Sequence, residues 1–503
     1  MRFTNPRSYF LWTTFIAVLL ALPAGVRADK NKSGGSSAPP PRQAPAPSRP
    51  AAQSQRPAAN RPPAANQRPG TGKTTRPGTN TTVRPGRPTT PRPGTTRPGT
   101  PAAARPATTA RPAPIRPGTR AVLQQRTVRD VGGHRVSFDS GGHVRTIQTH
   151  SGATVYRGAH GGYRAVHEFP GGRHVEFAGR NYGHMERNYA RGYRMRTYYE
   201  NGRYRAVVYR SYLWRGRPYY VYAPYYYYRP AYYGWAYAPW GAPVYYQWGW
   251  AGNPWYGYYG SYFAPAPFYP AADLWLTDYI LAENLKMAYD AQQDAAPQEA
   301  AGTPPENANV QLTPEVKQMI AEEVKQQLAA EKAAAARPTS AVSQSGPNDT
   351  PPPALDPNHT VFVVASTLDV ATPVGDCELT PGDVINRIDD TPDSDDMVQV
   401  RVASSKQGDC LQGSKPAVKV ADLQDMSNRF REQVDSGLQQ LAANSGKNGL
   451  PAAPDTSTSS APDVPTPEPD KDVYAQMQGL QKEADQAEAD VRKGSTSGQT
   501  GGQ

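Results

Sequence analysis

Seven of the eight histidines fall in one stretch, at His134, His143, His150, His160, His167, His174 and His184. Imidazoles at this density raise the chemistry of zinc, copper or nickel binding. Their spacing works against a preformed centre. There is no His-x-His or His-x3-His pair, and intervals of 7 to 10 residues put neighbours on successive strands or turns, where convergence depends on strand register. These histidines are therefore expected to be polar strand and turn residues, with no metal or cofactor assigned.

A second group, Asp389, Asp390, Asp393, Asp395 and Asp396, carries the clustered carboxylates that a hard cation takes. It lacks the glycine and terminal glutamate of a hand-type calcium loop, and reads as a solvated hairpin tip. The run Gly70-Thr71-Gly72-Lys73-Thr74 ends like a phosphate-binding loop, but Gln67 stands where the first glycine belongs and Pro77 denies the following helix. No strained Gly-x-Ser-x-Gly turn supports a serine nucleophile. No enzyme is expected.

The remaining chemistry is adhesive. Residues 219–269 are mostly Tyr, Trp, Gly, Pro and Ala, and no Asp or Glu occurs from Asn201 to Ala272. Flat amphipathic rings on a backbone broken by Gly and Pro read as a contact surface. Tyr219, Trp235, Trp240, Trp248, Trp250 and Trp255 would stack on sugar faces, while Arg215, Arg217 and Arg229 meet acidic groups. Two other readings compete: self-association of the rings, or an irregular core formed with the histidine-rich segment and the helix carrying Trp275.

These residues sit in a chain of contrasting segments. Residues 1–28 have a basic start, an apolar run from Phe10 to Leu22, a breaker at Pro23 and a small-residue ending at Ala28, the pattern of a secretory signal peptide. Residues 29–121 repeat Arg-Pro-Gly-Thr, as at Arg76 to Thr79 and Arg97 to Thr100, and form a basic arm with almost nothing to bury. Residues 122–215 alternate short strands with Gly-rich turns and predict a β-meander similar to the hairpin repeats of bacterial surface proteins. Asn201-Gly202 is its sharpest turn signal.

Residues 216–270 hold the aromatic segment. Helices are expected at 271–292, with Asp273 as a cap, and at 312–336, with Thr313 as N-cap and Pro314 at the first position. Residues 358–443 predict a small β-barrel-like domain with a packed helix from Asp422. The only cysteines, Cys377 and Cys410, would pin it with a disulfide in an oxidising compartment. Within it, Leu379-Thr380-Pro381-Gly382-Asp383-Val384-Ile385 resembles the L-x-P-G-D-x-I turn and strand of PDZ domains, which also occurs in small Src-homology-type barrels. The resemblance covers seven residues, and no Gly-rich carboxylate-binding loop precedes the first strand. Residues 444–470 read as a disordered linker, 471–492 as an amphipathic helix, and 493–503 as a disordered tail.

The fold class expected is thus a largely disordered multi-segment chain: a β-hairpin meander, a small barrel-like C-terminal domain and isolated helices. The net charge of +12 averages a basic front and an acidic rear. The location expected is exported: periplasm, cell surface or extracellular space, with no transmembrane span after signal removal. The partners expected are a cell-wall or envelope polyanion or glycan, with no specific nucleic acid. Alternatives are a structural protein self-associating through 219–269 and 471–492, and a histidine-rich metal-binding protein.

Overall fold

The computed structural model describes residues 126–139, 141–158, 163–179, 181–295, 311–337, 350–372 and 375–497. The segments expected as signal peptide (1–28) and basic arm (29–121), His160 and residues 498–503 lie outside them. Between Thr127 and Tyr222 the alternation of β-branched, aromatic and Gly-turn residues produces one antiparallel meander of ten strands in sequence order. They are β1 (Thr127–Val131), β2 (His134–Phe138), β3 (Val144–Gln148), β4 (Thr154–Arg157), β5 (Tyr163–Phe169), β6 (Arg173–Phe177), β7 (Tyr182–Asn188), β8 (Tyr193–Glu200), β9 (Arg203–Trp214) and β10 (Arg217–Tyr222). The β8–β9 turn is where the sequence places it, with Asn201 and Gly202 at φ 48° and 83°.

Strand alternation gives the sheet two unlike faces. On one, the register Val136↔Ile147, Ile147↔Val155, Val155↔Ala165 and Ala165↔Phe177 runs an apolar ladder across five strands. On the other, two rows cross β6 to β9: Glu176, His184, Tyr198, Arg205, and beside it His174, Glu186, Arg196, Val207. One face needs a greasy cover and the other a charged one.

After the sheet come β11 (Tyr226–Tyr228) and helices α1 (Pro230–Tyr237), α2 (Pro254–Tyr258), α3 (Ala272–Ala295) and α4 (Pro314–Ala335). Thr313 caps α4 as expected, accepting from Val316 N at 3.4 Å, with Pro314 in the first turn. The C-terminal part adds β12 (Val361–Val363), β13 (Leu368–Thr372), β14 (Gly375–Leu379), β15 (Val384–Arg387), β16 (Met397–Ser404), β17 (Ala417–Lys419), α5 (Val420–Ala443), β18 (Thr458–Ser460) and α6 (Val473–Ser497). Thr380 to Asp383 make the turn expected before β15, where the Asp383 carboxylate accepts from Thr380 N at 2.9 Å. Gly382 is required there: its φ is 95°, and a Cβ would meet Leu285 at 2.9 Å.

Several expectations need correction. The C-terminal strands do not close into a barrel: β12, β15, β16 and β17 form an open four-stranded sheet, and β13 pairs only with β14. Nor are the helices isolated, because their apolar stripes find partners within the chain. Leu276, Ile280 and Leu285 of α3 pack with Ile320, Val324 and Leu328 of α4 and with Val434 and Leu438 of α5 in one core. Val473, Met477, Leu480, Ala484, Ala487 and Val491 of α6 cover the apolar sheet face. The segment 444–470 is no free linker. Leu450 and Val464 are buried, and β18 pairs with β11. The disulfide joins Cys377 and Cys410, with Cα atoms 4.9 Å apart. Among the described residues no helix is long and apolar enough to cross a membrane.

Candidate functional site

The aromatic segment is where structure and expectation part most clearly. Trp240, Trp250 and Trp255 are buried with Tyr232, Tyr233, Tyr262 and Tyr269, and Trp235 and Trp248 are half-buried against the same core. Trp248 stacks on Trp250 and on Trp275, at centroid separations of 4.2 and 4.6 Å. Tyr219 is buried too, beside Trp214 in the core of the C-terminal sheet. The reading of these six residues as an outward contact surface is thus corrected: four are buried and two half-buried, the tryptophans in the core to which α3 and α4 supply apolar stripes. What the segment leaves exposed is Tyr237, Tyr245 and Phe268.

The three arginines named with it stay at the surface, and each has an internal partner. Arg217 Nε lies 2.8 Å from Asp396, Arg229 Nε lies 3.8 Å from Asp455, and Arg215 donates to the Pro392 carbonyl at 3.4 Å. The acidic loop is similarly occupied. Asp393 accepts from the Asp395 and Met397 amides, Asp389 from the Gln399 amide, and Asp390 pairs with Arg387, so its carboxylates do not converge.

The histidines divide by register. His143 and His150 are exposed in turns, while His134 and His167 each lie 3.7 Å from a carboxylate of α6, Asp490 and Glu483. His174 and His184 come together on the polar face, their rings stacked at 5.4 Å, with Glu176 beside them. This convergence was invisible in the sequence, since the 10-residue interval becomes a cross-strand neighbour only after the β6–β7 turn is fixed.

Around that pair the polar face is a dense ionic layer. Glu186 takes Arg194 at 2.6 Å and Arg196 at 2.5 Å, and Arg196 continues to Asp425 of α5 at 2.6 Å. Glu432 of α5 accepts from Tyr209 at 2.5 Å and from Arg205 at 3.2 Å. Tyr222 donates to Asp435 at 2.5 Å. Burial pushes the His184 imidazole down to about 3, with Arg196 adding to the effect. His174 is burdened by burial as well, but its bonds to Glu168 and Glu176 outweigh that and raise it to about 10. Burial alone would raise Glu176 and Glu186, yet Arg164 and Arg196 hold them well below the ordinary carboxylate range.

A cavity of about 430 Å³ opens between the ends of β9 and β10, α5 and the segment before α6. Arg210, Arg337 and Arg431 line it together with Tyr212, Tyr222 and Tyr227, against one acidic residue, Asp463. Arg210 donates to the Tyr193 hydroxyl at 3.3 Å and Arg431 to the Tyr222 carbonyl at 3.1 Å. Among the described residues no ion pair joins any of the three to a carboxylate. The Tyr212 hydroxyl is buried and has no hydrogen-bond partner. Burial raises its phenol above the ordinary range, so it stays protonated and able to donate. Three guanidinium groups and three tyrosine rings thus line one partly apolar space.

The chain matches no family model, and comparison with curated proteins and with solved structures gives no significant match.

Proposed function

We propose that this is an exported, non-enzymatic envelope or extracellular surface protein that contacts anionic or glycan surfaces, and that the contact runs through the Arg/Tyr cavity. The observation that carries the reading is the grouping of Arg210, Arg337 and Arg431 with Tyr212, Tyr222 and Tyr227 around one cavity. A phosphate, sulfate or uronic carboxylate accepts from guanidinium nitrogens at fixed angles, and a sugar ring packs on tyrosine faces. The leader-like residues 1–28 and the basic arm 29–121 point the same way: one toward export, the other toward polyanions. Self-association finds less support, because the rings of 219–269 and the stripe of α6 are used inside the chain.

The test is equilibrium binding of the mature chain, residues 29–503, to purified lipopolysaccharide and to purified peptidoglycan. Arg210→Gln with Arg337→Gln is expected to weaken binding at least tenfold while leaving the melting temperature unchanged. Unchanged affinity in that variant overturns the role of the cavity. A mature chain that binds neither material overturns the surface-protein reading itself.

A further inference from the structure

We infer that His174, Glu176 and His184 form a three-ligand site for a divalent transition-metal ion of the zinc type. This site is separate from the cavity and is built by strand register. His174 and Glu176 are two apart on β6 and share a face, and the pairings His174↔Glu186 and Glu176↔His184 set His184 of β7 directly across from Glu176. One ligand atom from each of the three lies within 4.8 Å of the other two. Donors around a zinc ion at ~2.1 Å stand about 3.4 Å apart, so side-chain rotation on a fixed backbone closes the set. The scaffold is rigid, because both strands lie inside the ten-stranded sheet.

The outer contacts fit the same chemistry. His174 Nδ1 lies 2.5 Å from Glu168 Oε1, which fixes a proton on that nitrogen and turns Nε2 toward Glu176 Oε2, 3.6 Å away. A carboxylate on the far ring nitrogen is the outer partner that metal-binding histidines commonly have, and an entering ion displaces the proton at Nε2. Arg164, 3.4 Å from Glu176, orients that carboxylate in turn. Glu168, Glu176, Glu186 and Asp425 stand against Arg164, Arg194 and Arg196, so a dication does not enter a positive site. Two imidazoles and one carboxylate select zinc-like ions over calcium or magnesium. The three side chains remain 12 to 17% exposed.

The experiment is a calorimetric titration of the mature chain with zinc chloride, paired with visible absorption of the cobalt(II)-loaded chain. One ion per chain is expected. His184→Asn and Glu176→Gln should each weaken binding at least tenfold and remove the cobalt d–d band, whereas His143→Gln, in an exposed turn, should change neither. Circular dichroism checks the fold. If His184→Asn unfolds, Glu176→Gln, which keeps the side-chain shape, decides. No heat above the buffer control overturns the proposal, as does binding that Glu176→Gln leaves intact.

Discussion

The Tyr/Trp segment and the polar face of the sheet are both buried, but by opposite physics. The segment is held by ring area: Trp248, Trp250, Trp275 and their tyrosine neighbours make many contacts, none of which depends on a single partner. The polar face is held by directed pairs, in which Glu186, Glu432 and Asp435 each satisfy named arginines or tyrosines. Area burial tolerates local loss, whereas a buried ionic network is worth little net until one partner is removed, and then costs much. Basic strand residues also meet acidic residues of the C-terminal part, as in Arg196–Asp425, Arg157–Glu488 and Arg187–Asp470.

The largest expected effect lies on the polar face. Glu432→Ala strips Arg205, Arg429 and Tyr209 of their shared acceptor and should cost about 3 to 5 kcal/mol in denaturant unfolding. Replacing Arg205 and Glu432 together by methionine should recover a large part of it. No recovery would mean the network is more than paired charge. On the aromatic side, Trp250→Phe should cost only about 1 to 2 kcal/mol, since neighbouring rings close around the smaller one. A loss as large as that of Glu432→Ala would erase the contrast.

The pH profile sharpens the same contrast, measured with chelator present. His174, raised to about 10, contributes stability that is complete below its unfolded value near ~6.5 and is lost as pH rises through about 10. His184, depressed to about 3, favours the folded state above ~6.5 and withdraws that support as pH falls toward 3. Thermal stability should therefore peak between pH 6 and 7, on the order of the unperturbed histidine value. His174→Gln should flatten the alkaline side alone. The smallest effect is at the rim: Arg229→Ala, at an exposed pair with Asp455, should leave the melting temperature unchanged.

Much of this architecture was legible one element at a time. The Gly-turn spacing gives the meander, Asn201-Gly202 its sharpest turn, Thr313-Pro314 the start of α4, and two lone cysteines the disulfide. Local signals of this kind rest on φ preferences and capping, which are properties of neighbours in sequence. Assembly was not legible. That the stripe Val473 to Val491 would lie on strands some 300 residues earlier in sequence is a long-range pairing, with no local mark except the need to bury it. The same holds for His174 and His184, whose meeting is set by one hairpin register. The aromatic segment misled because composition rich in Gly, Pro and Tyr describes a surface and an irregular core equally well. The helices that turn it into a core lie downstream.

The central claim, that the tryptophans of the Tyr/Trp segment pack inward, is tested most directly by acrylamide quenching of tryptophan fluorescence in residues 29–503. Of the seven tryptophans in the described residues, five are buried and two half-buried. The quenching constant should be several-fold below that of free N-acetyl-tryptophanamide and rise to it on denaturation. A native-state constant equal to that of the free compound would contradict the account.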